Sequence, residues 1–297
     1  MKLDNEQESS NVEDRRGSSG GGGGRGMGVG KVGLGTVAIA LLASWIFGID
    51  PSMILNIAGG LQGNSAQVAP QSTTRAPVQE SAQEAAEVVF IKKVLRTTET
   101  AWGDIFKAGG STYQPPKLVL FRGATPTACG TGQTASGPFY CPGDQKVYID
   151  LKFYDDLRNR FKAPGDTAQA YVIAHEIGHH VQHLLGTSGK VDAMRGKVSE
   201  TEYNKLSVRL ELQADCYAGI WANHANRSKP VFEPGDAEEA IQAATAIGDD
   251  TLQKQSRGYV TPDSFTHGSS AQRVKWFRAG LASGNMQSCD TFTKQGV

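Results

Sequence analysis

Apolar residues recur at every third or fourth position in several stretches of the chain, as they do along one face of an α-helix. The first stretch, Ser81–Ala108, begins with a capping-box pattern of Ser81 and Glu84, and two glycines follow its end. The second, Ala168–Leu185, is mostly apolar and has Asp166 or Thr167 available as its N-cap. The same pattern predicts further helices at Tyr154–Phe161, Glu200–Ala225, Asp236–Gln255 and Ser269–Leu281.

Strand patterns lie between the first two long helices. The segment Lys117–Arg122, KLVLFR, follows two prolines, and Phe139–Cys141 is joined by a PGDQ turn to Lys146–Phe153. Apolar and polar residues alternate in the last of these segments, as expected for a strand with one buried face. The predicted fold class is therefore α+β, mainly helical, with a small antiparallel or mixed sheet.

The first 80 residues contain an uncharged apolar segment, Val32–Ile49, which is about long enough to cross a bilayer as a helix. We expect residues 1–30, which are polar and glycine-rich, to form a disordered cytoplasmic tail. Residues 31–50 are the predicted single transmembrane helix. Residues 51–80 contain many Gln, Ser, Ala, Thr and Pro residues and are predicted to be a linker, so that residues 81–297 form the folded domain.

The distribution of basic residues predicts the orientation of this segment. Arg15, Arg16, Arg25 and Lys31 precede it, and the next basic residue after it is Arg75. The positive-inside rule then predicts a single-pass protein of the inner (cytoplasmic) membrane, with a cytoplasmic N-terminus and a periplasmic or extracellular domain. A cleaved signal peptide is one alternative, although no A-x-A site closely follows the segment. A buried core helix is the other.

Charge and cysteine content narrow the possible partners and compartments. The net charge is +0, so a nucleic-acid partner is not expected. The four cysteines, Cys129, Cys141, Cys216 and Cys289, suggest two disulfides in an exported domain. Pairing Cys129 with Cys141 would close a short loop and leave Cys216 for Cys289, but three pairings are possible. Because none of the four has C-x-x-C spacing, a cysteine zinc site is not expected.

The predicted helix at Ala168–Leu185 contains the motif HEIGH. His175 and His179 are four residues apart, so both imidazoles lie on one face of the helix and can bind one metal ion. Glu176 lies about 100° around the helix axis, where it could take a proton from a water molecule on the metal. This is the H-E-x-x-H arrangement of zinc peptidases, and it predicts Zn²⁺ as the cofactor. A core helix with surface histidines is the alternative.

A catalytic zinc site usually has three protein ligands, so a third is needed. His183 lies on the same face but about 12 Å along the helix from His175, which is too far for one ion. Glu211, in the ELQAD stretch of a later helix, is the better candidate because its apolar neighbours suggest a buried carboxylate. Asp215, one turn further on, could orient a histidine ligand. A salt bridge of the pair with Arg209 or another basic residue is the alternative, and Glu200 and Glu202 are weaker candidates.

Several stretches together resemble one protein family. HEIGHHVQ and LELQADCYAG, together with NVEDRRG, GPFYCPGDQKVYID and THGSSAQRVKWFRAG, are similar to the YpfJ-like family of neutral zinc metallopeptidases. The resemblance to M48-type gluzincins is more distant. These resemblances imply a zincin-like fold for residues 81–297, with zinc bound by His175, His179 and Glu211 and with Glu176 as the base.

The leading functional hypothesis is a membrane-anchored zinc endopeptidase that acts on a protein or peptide. The carbonyl oxygen of the substrate would need a hydrogen-bond donor during hydrolysis, and His267, Arg273 and Tyr217 are candidates. Substrate could bind as an added strand along Gly137–Cys141 or Lys146–Asp150. A zinc-binding scaffold that has lost catalysis is one alternative, although Glu176 argues against it. A zinc hydrolase of a non-peptide amide is another.

Overall fold

The computed structural model describes residues 1–17, 80–133 and 137–293. Strands occupy Val12–Asp14 (β1), Lys117–Phe121 (β2), Ala124–Thr127 (β3), Gly130–Gln133 (β4), Phe139–Cys141 (β5) and Lys146–Asp150 (β6). Helices occupy Ala82–Ala108 (α1), Lys152–Asn159 (α2), Asp166–Leu184 (α3), Thr187–Asp192 (α4), Glu200–Ser228 (α5), Asp236–Ala246 (α6), Asp249–Arg257 (α7) and Ser270–Ser283 (α8). Short 3₁₀ turns lie at Pro262–Ser264 and Met286–Cys289.

The strands form one mixed sheet and one separate hairpin. The sheet order is β1-β2-β6-β5, in which β1, β2 and β6 are parallel and β5 is antiparallel to β6. Strands β3 and β4 pair only with each other in the described part of the chain. The predicted α+β class, mainly helical with a small sheet, is confirmed. Strand β5 is last in this order, so it is an edge of the sheet in the described part of the chain, and it lies against α3.

The first 17 residues are part of the folded body. Strand β1 pairs in register with β2, and the Leu3 side chain is buried in the core. The α-ammonium group of Met1 lies 2.7 Å from the carboxylate of Asp166, at the start of α3. The prediction that residues 1–30 form a disordered tail is therefore wrong for residues 1–17. The stretch is short and polar, and it is ordered by pairing with distant residues, which periodicity does not reveal.

The predicted transmembrane helix, residues 31–50, and most of the predicted linker lie outside the described residues. Among the residues that are described, none of the helices combines the length and the apolar character needed to cross a bilayer. The guanidinium of Arg16, which precedes this stretch, lies 2.8 Å from the carboxylate of Glu80, which follows it.

Helix α5 is the central helix of the core and packs against both α3 and α8. Its contact with α8 is very close, since a Cβ added to Gly280 would lie 1.9 Å from the carbonyl oxygen of Cys216. The same side of α5 is linked by the Cys216–Cys289 disulfide to the chain that follows α8. The other disulfide joins Cys129 to Cys141. Both of the disulfides suggested by the sequence are confirmed.

We expect Gly280→Ala to destabilise the protein, because its methyl group would force α8 away from α5. Overpacking of this kind typically lowers the free energy of unfolding by about 1–3 kcal/mol. Gly103, in α1, is the matched control, since a Cβ there has nothing within 4 Å. Gly103→Ala should leave stability unchanged or raise it by up to about 1 kcal/mol. Urea unfolding followed by circular dichroism measures both, and equal stability of the two variants would contradict this packing.

Candidate metal centre

The two histidines of the motif are brought to the third predicted ligand by a close contact between α3 and α5. At the contact point, a Cβ added to Gly178 would lie 3.0 Å from the carbonyl oxygen of Ala214. Gly178 lies between the two histidines along α3, and Ala214 lies one turn after Glu211 on α5. Glycine is a poor helix former, so its presence here is explained by the close approach of the second helix.

The three predicted ligands converge. Glu211 places one carboxylate oxygen 3.2 Å from Nε2 of His175 and the other 3.4 Å from Nε2 of His179. One ligand atom from each of the three residues lies within 4.8 Å of the others. Two ligands of a tetrahedral zinc ion, each at 2.0–2.1 Å, are about 3.3 Å apart. The donor set and the spacing of its atoms therefore fit zinc.

The charge distribution also favours a cation between these residues. Burial alone would raise the pKa of the Glu211 carboxyl, but the positive charges of His179 and His267 hold this pKa well below its ordinary value. Burial lowers the pKa of His179, and the Glu211 carboxylate more than offsets this and raises it to about 9. A buried carboxylate thus remains ionised and needs positive charge beside it, which a divalent ion would supply.

Asp215 is placed behind His175, as the helical spacing predicts. Its Oδ1 lies 2.8 Å from Nδ1 of His175, and it also accepts a hydrogen bond from the Tyr171 hydroxyl. The Arg273 guanidinium donates to both carboxylate oxygens at 2.9 Å. Burial alone would raise the pKa of Asp215, but Arg273 and His175 lower it to about 2. The ionised carboxylate orients the imidazole of His175 with Nε2 toward Glu211.

The position of Arg273 corrects one of the predictions for the donor to the substrate. The side chain is almost fully buried and is occupied by Asp215, so it is not free to bind a carbonyl oxygen. Tyr217 is also buried, and its ring packs edge-on against Trp102 with 5.4 Å between centroids. Both residues support the core behind the site. Of the three candidates for this donor, His267 remains.

We expect Asp215→Asn to weaken zinc binding by about 10- to 100-fold, the usual cost of losing a carboxylate behind a histidine ligand. An asparagine would also leave Arg273 without its charged partner. Asp150→Asn is the control, because Asp150 is a buried carboxylate on β6 that accepts hydrogen bonds from the backbone amides of Gly123 and Lys152. Competition with a chromophoric chelator measures both affinities. Unchanged affinity in Asp215→Asn would show that the aspartate does not tune His175.

His267 lies in the loop before α8 and is held by Asp249, at the start of α7. One carboxylate oxygen of Asp249 accepts hydrogen bonds from the backbone amides of Thr266, His267 and Gly268 at 2.6–3.0 Å. The other lies 3.3 Å from Nδ1 of the His267 imidazole. Gly268 packs against Leu212, the neighbour of Glu211 on α5. The loop therefore holds a half-exposed imidazole on the Glu211 side of the site.

Glu176 is buried beside the ligands, on α3, and its charge contributes to the raised pKa of His179. Two further residues that support the site were not identified from the sequence. Asp249 holds His267, and the amide oxygen of Gln182 lies 2.9 Å from Nδ1 of His179, where it can accept a hydrogen bond. Gln182 follows His179 by three residues, so helical spacing could have indicated it. Asp249 carries no comparable local signal.

Comparison with known proteins agrees with this geometry. The family model described as "Putative neutral zinc metallopeptidase" matches residues 1–292. The chain is 50% identical to "Uncharacterized protein YpfJ" of Escherichia coli K12 over 298 residues, or 99% of each chain. It is 44% identical over 191 residues to "Uncharacterized protein Rv2575" of Mycobacterium tuberculosis H37Rv, covering 61% of this chain and 64% of that one. No solved structure matches. The chain therefore belongs to the putative neutral zinc metallopeptidase family.

Proposed function

We propose that the protein is a zinc-dependent peptidase with a zincin-like catalytic arrangement. The observation that supports this most directly is the convergence of His175, His179 and Glu211, with Glu176 on the same helix as the two histidines. Three protein ligands leave one coordination position open, as in catalytic rather than structural zinc sites. A carboxylate beside that position is the residue that a hydrolase needs and that a structural site does not.

Zinc bound here would polarise the scissile carbonyl and make water acidic enough to lose a proton near neutral pH. Glu176 accepts that proton and delivers it to the leaving amine. His267 donates a hydrogen bond to the carbonyl oxygen as negative charge develops on it. Asp249 holds the loop that carries this imidazole, so the donor is in position before substrate binds. Asp215 and Gln182, which lie within hydrogen-bonding distance of Nδ1 of His175 and His179 respectively, keep the two imidazoles aligned.

Strand β5 is the proposed docking edge for an extended peptide substrate. The alternative, Lys146–Asp150, is β6, which is paired on both sides and has no free edge. The β5 residue Tyr140 is joined to α3 through its hydroxyl, which lies 3.0 Å from Nδ1 of His180. The edge strand is thus attached to the helix that carries the ligands. Backbone hydrogen bonding to β5 would give affinity for peptides of varied sequence.

We further propose that the catalytic domain lies outside the cytoplasm, in the periplasm or exterior, because disulfides persist in oxidising compartments. Attachment to the membrane through residues 31–50 is part of this proposal, and it must leave Arg16 and Glu80 on the same side because their side chains are 2.8 Å apart. We therefore propose one compartment for the N-terminal segment and the domain, in place of the cytoplasmic N-terminus expected from the distribution of basic residues. No nucleic-acid partner is expected for a chain with a net charge of +0.

The test is metal analysis combined with a proteolysis assay on the full chain in detergent. We expect one zinc ion per chain and slow hydrolysis of unfolded casein, which a chelator abolishes and stoichiometric zinc restores. Hydrolysis that persists after the metal has been removed would refute the proposal. Zinc binding without cleavage of any protein, but with cleavage of simple amides, would instead identify a hydrolase of non-peptide bonds.

A further inference from the structure

Behind His179, on the side away from Glu211, two buried glutamines form a chain of hydrogen bonds. Gln182, on α3, places its Oε1 2.9 Å from Nδ1 of His179. Its amide nitrogen donates to the carbonyl oxygen of Leu210 at 2.7 Å and to Oε1 of Gln213 at 3.2 Å. The amide nitrogen of Gln213 donates to the carbonyl oxygen of Cys289 at 3.0 Å. Both glutamines are buried, so water does not compete for these bonds.

The direction of every bond in this chain is fixed by the two backbone carbonyls. A carbonyl oxygen can only accept, so Cys289 requires the nitrogen of Gln213 to face it, which turns the oxygen of Gln213 toward Gln182. Leu210 and Gln213 then both present oxygen atoms to Gln182. Its nitrogen must face them, and its oxygen must face His179.

The orientation of the Gln182 amide determines which nitrogen of His179 carries the proton. Because Gln182 presents an acceptor, Nδ1 of His179 must carry a proton. In the neutral imidazole the lone pair is then on Nε2, the atom 3.4 Å from Glu211 and directed at the metal position. A reversed amide would donate to Nδ1 and leave the proton on Nε2, where it would block coordination. We propose that Gln182 and Gln213 are positioning residues that set the metal-binding tautomer of His179, with the Cys289 carbonyl as their fixed end.

The Cys289 carbonyl is itself held firmly. The Cys216–Cys289 disulfide attaches this residue to α5, two turns beyond Leu210. Nearby, the guanidinium of Arg209 donates to the carbonyl oxygens of Thr291 and Phe292 at 2.7 Å, and the Thr291 hydroxyl donates back to the Arg209 carbonyl. The segment after α8 thus contributes to the metal centre through a carbonyl, without containing a ligand.

The experiment measures zinc affinity by chelator competition, and the absorption spectrum of the cobalt-substituted protein, in the full chain. We expect Gln182→Met, which has similar size but no acceptor, to bind zinc about 10- to 100-fold more weakly and to change the cobalt spectrum. Gln182→Glu keeps an oxygen facing Nδ1 and loses the donor. We expect it to bind zinc within a few-fold of the wild type while melting at a lower temperature. Gln213→Met should show a smaller loss of zinc affinity than Gln182→Met.

Gln242→Met is the matched control, since this amide also donates to a backbone carbonyl, that of Lys162, but is exposed and is not among the described contacts of His179. Its zinc affinity should equal that of the wild type. The inference is overturned if Gln182→Met binds zinc as tightly as wild type, or if Gln182→Glu loses as much affinity as Gln182→Met.

The inference rests on the zinc site of the proposed function and does not depend on peptide hydrolysis. Failure of the wild-type chain to bind zinc would refute both. Normal zinc binding by wild type and by all three glutamine variants at positions 182 and 213 would refute this inference alone.

Discussion

Glu176→Gln should bind zinc like the wild type and hydrolyse casein at least about 10²-fold more slowly. The amide keeps the size of the side chain and removes its capacity to accept a proton, and general-base catalysis typically contributes about 10²–10⁴-fold to rate. Glu176 takes no part in the described contacts among His175, His179 and Glu211, so the site should remain assembled. The measurement is a pair of assays on one preparation, zinc content and initial rate with zinc in excess.

Glu99→Gln is the control for replacing a partly buried carboxylate. Glu99 accepts hydrogen bonds from the side chains of Ser9 and Asn11 in the N-terminal segment, and it has no contact with the ligands. This variant should lose stability and retain its rate per folded molecule. If Glu176→Gln digests casein at the wild-type rate, the base is another group. If it loses zinc as well, the glutamate is needed to build the site rather than for proton transfer.

Glu211→Ala should abolish both stoichiometric zinc binding and hydrolysis. The carboxylate is the proposed ligand from α5, and with it removed only the imidazoles of His175 and His179 on α3 would face a bound ion. Two histidines are only two of the three protein ligands that a catalytic zinc site usually has. Zinc content after dialysis against a weak chelator is the direct measurement, and the hydrolysis rate should fall in parallel.

Glu202→Ala is the matched control, because Glu202 lies on the same helix and is bound only to Lys205 and the N-cap of α5 among its described contacts. It should retain full zinc occupancy and rate. Glu202 was also a weaker candidate for the third ligand, so the pair of variants compares the two hypotheses directly. Full occupancy in Glu211→Ala would remove this residue from the metal centre.

The features predicted correctly from the sequence depend on residues that are close together in the chain. Helical spacing alone places His175 above His179 and Glu211 above Asp215, because residues four apart share a face of a helix. What joins the two pairs is the contact of Gly178 with Ala214, and the sequence indicates it only through an unexpected glycine in a helix. The family resemblance supplied the convergence of the ligands, and the structure shows the packing that produces it.

The features that were missed or wrong depend on contacts between distant residues. Strand β1 has too few residues for a periodic signal, and it is ordered by pairing with β2 more than 100 residues later. Arg273 was a reasonable donor by residue type, but its position opposite Asp215 depends on how α8 packs against α5. Gln182 is an ordinary polar residue in the sequence and acquires a role only because Leu210 and Gln213 surround it.

The ion pair between Arg16 and Glu80 holds together the two ends of the intervening stretch. The free-energy cost of closing a loop rises by only about 0.6 kcal/mol for each doubling of its length. The folded body would therefore tolerate shorter, longer or exchanged insertions between these two residues. The length of this stretch can thus change during evolution without rebuilding the candidate metal centre.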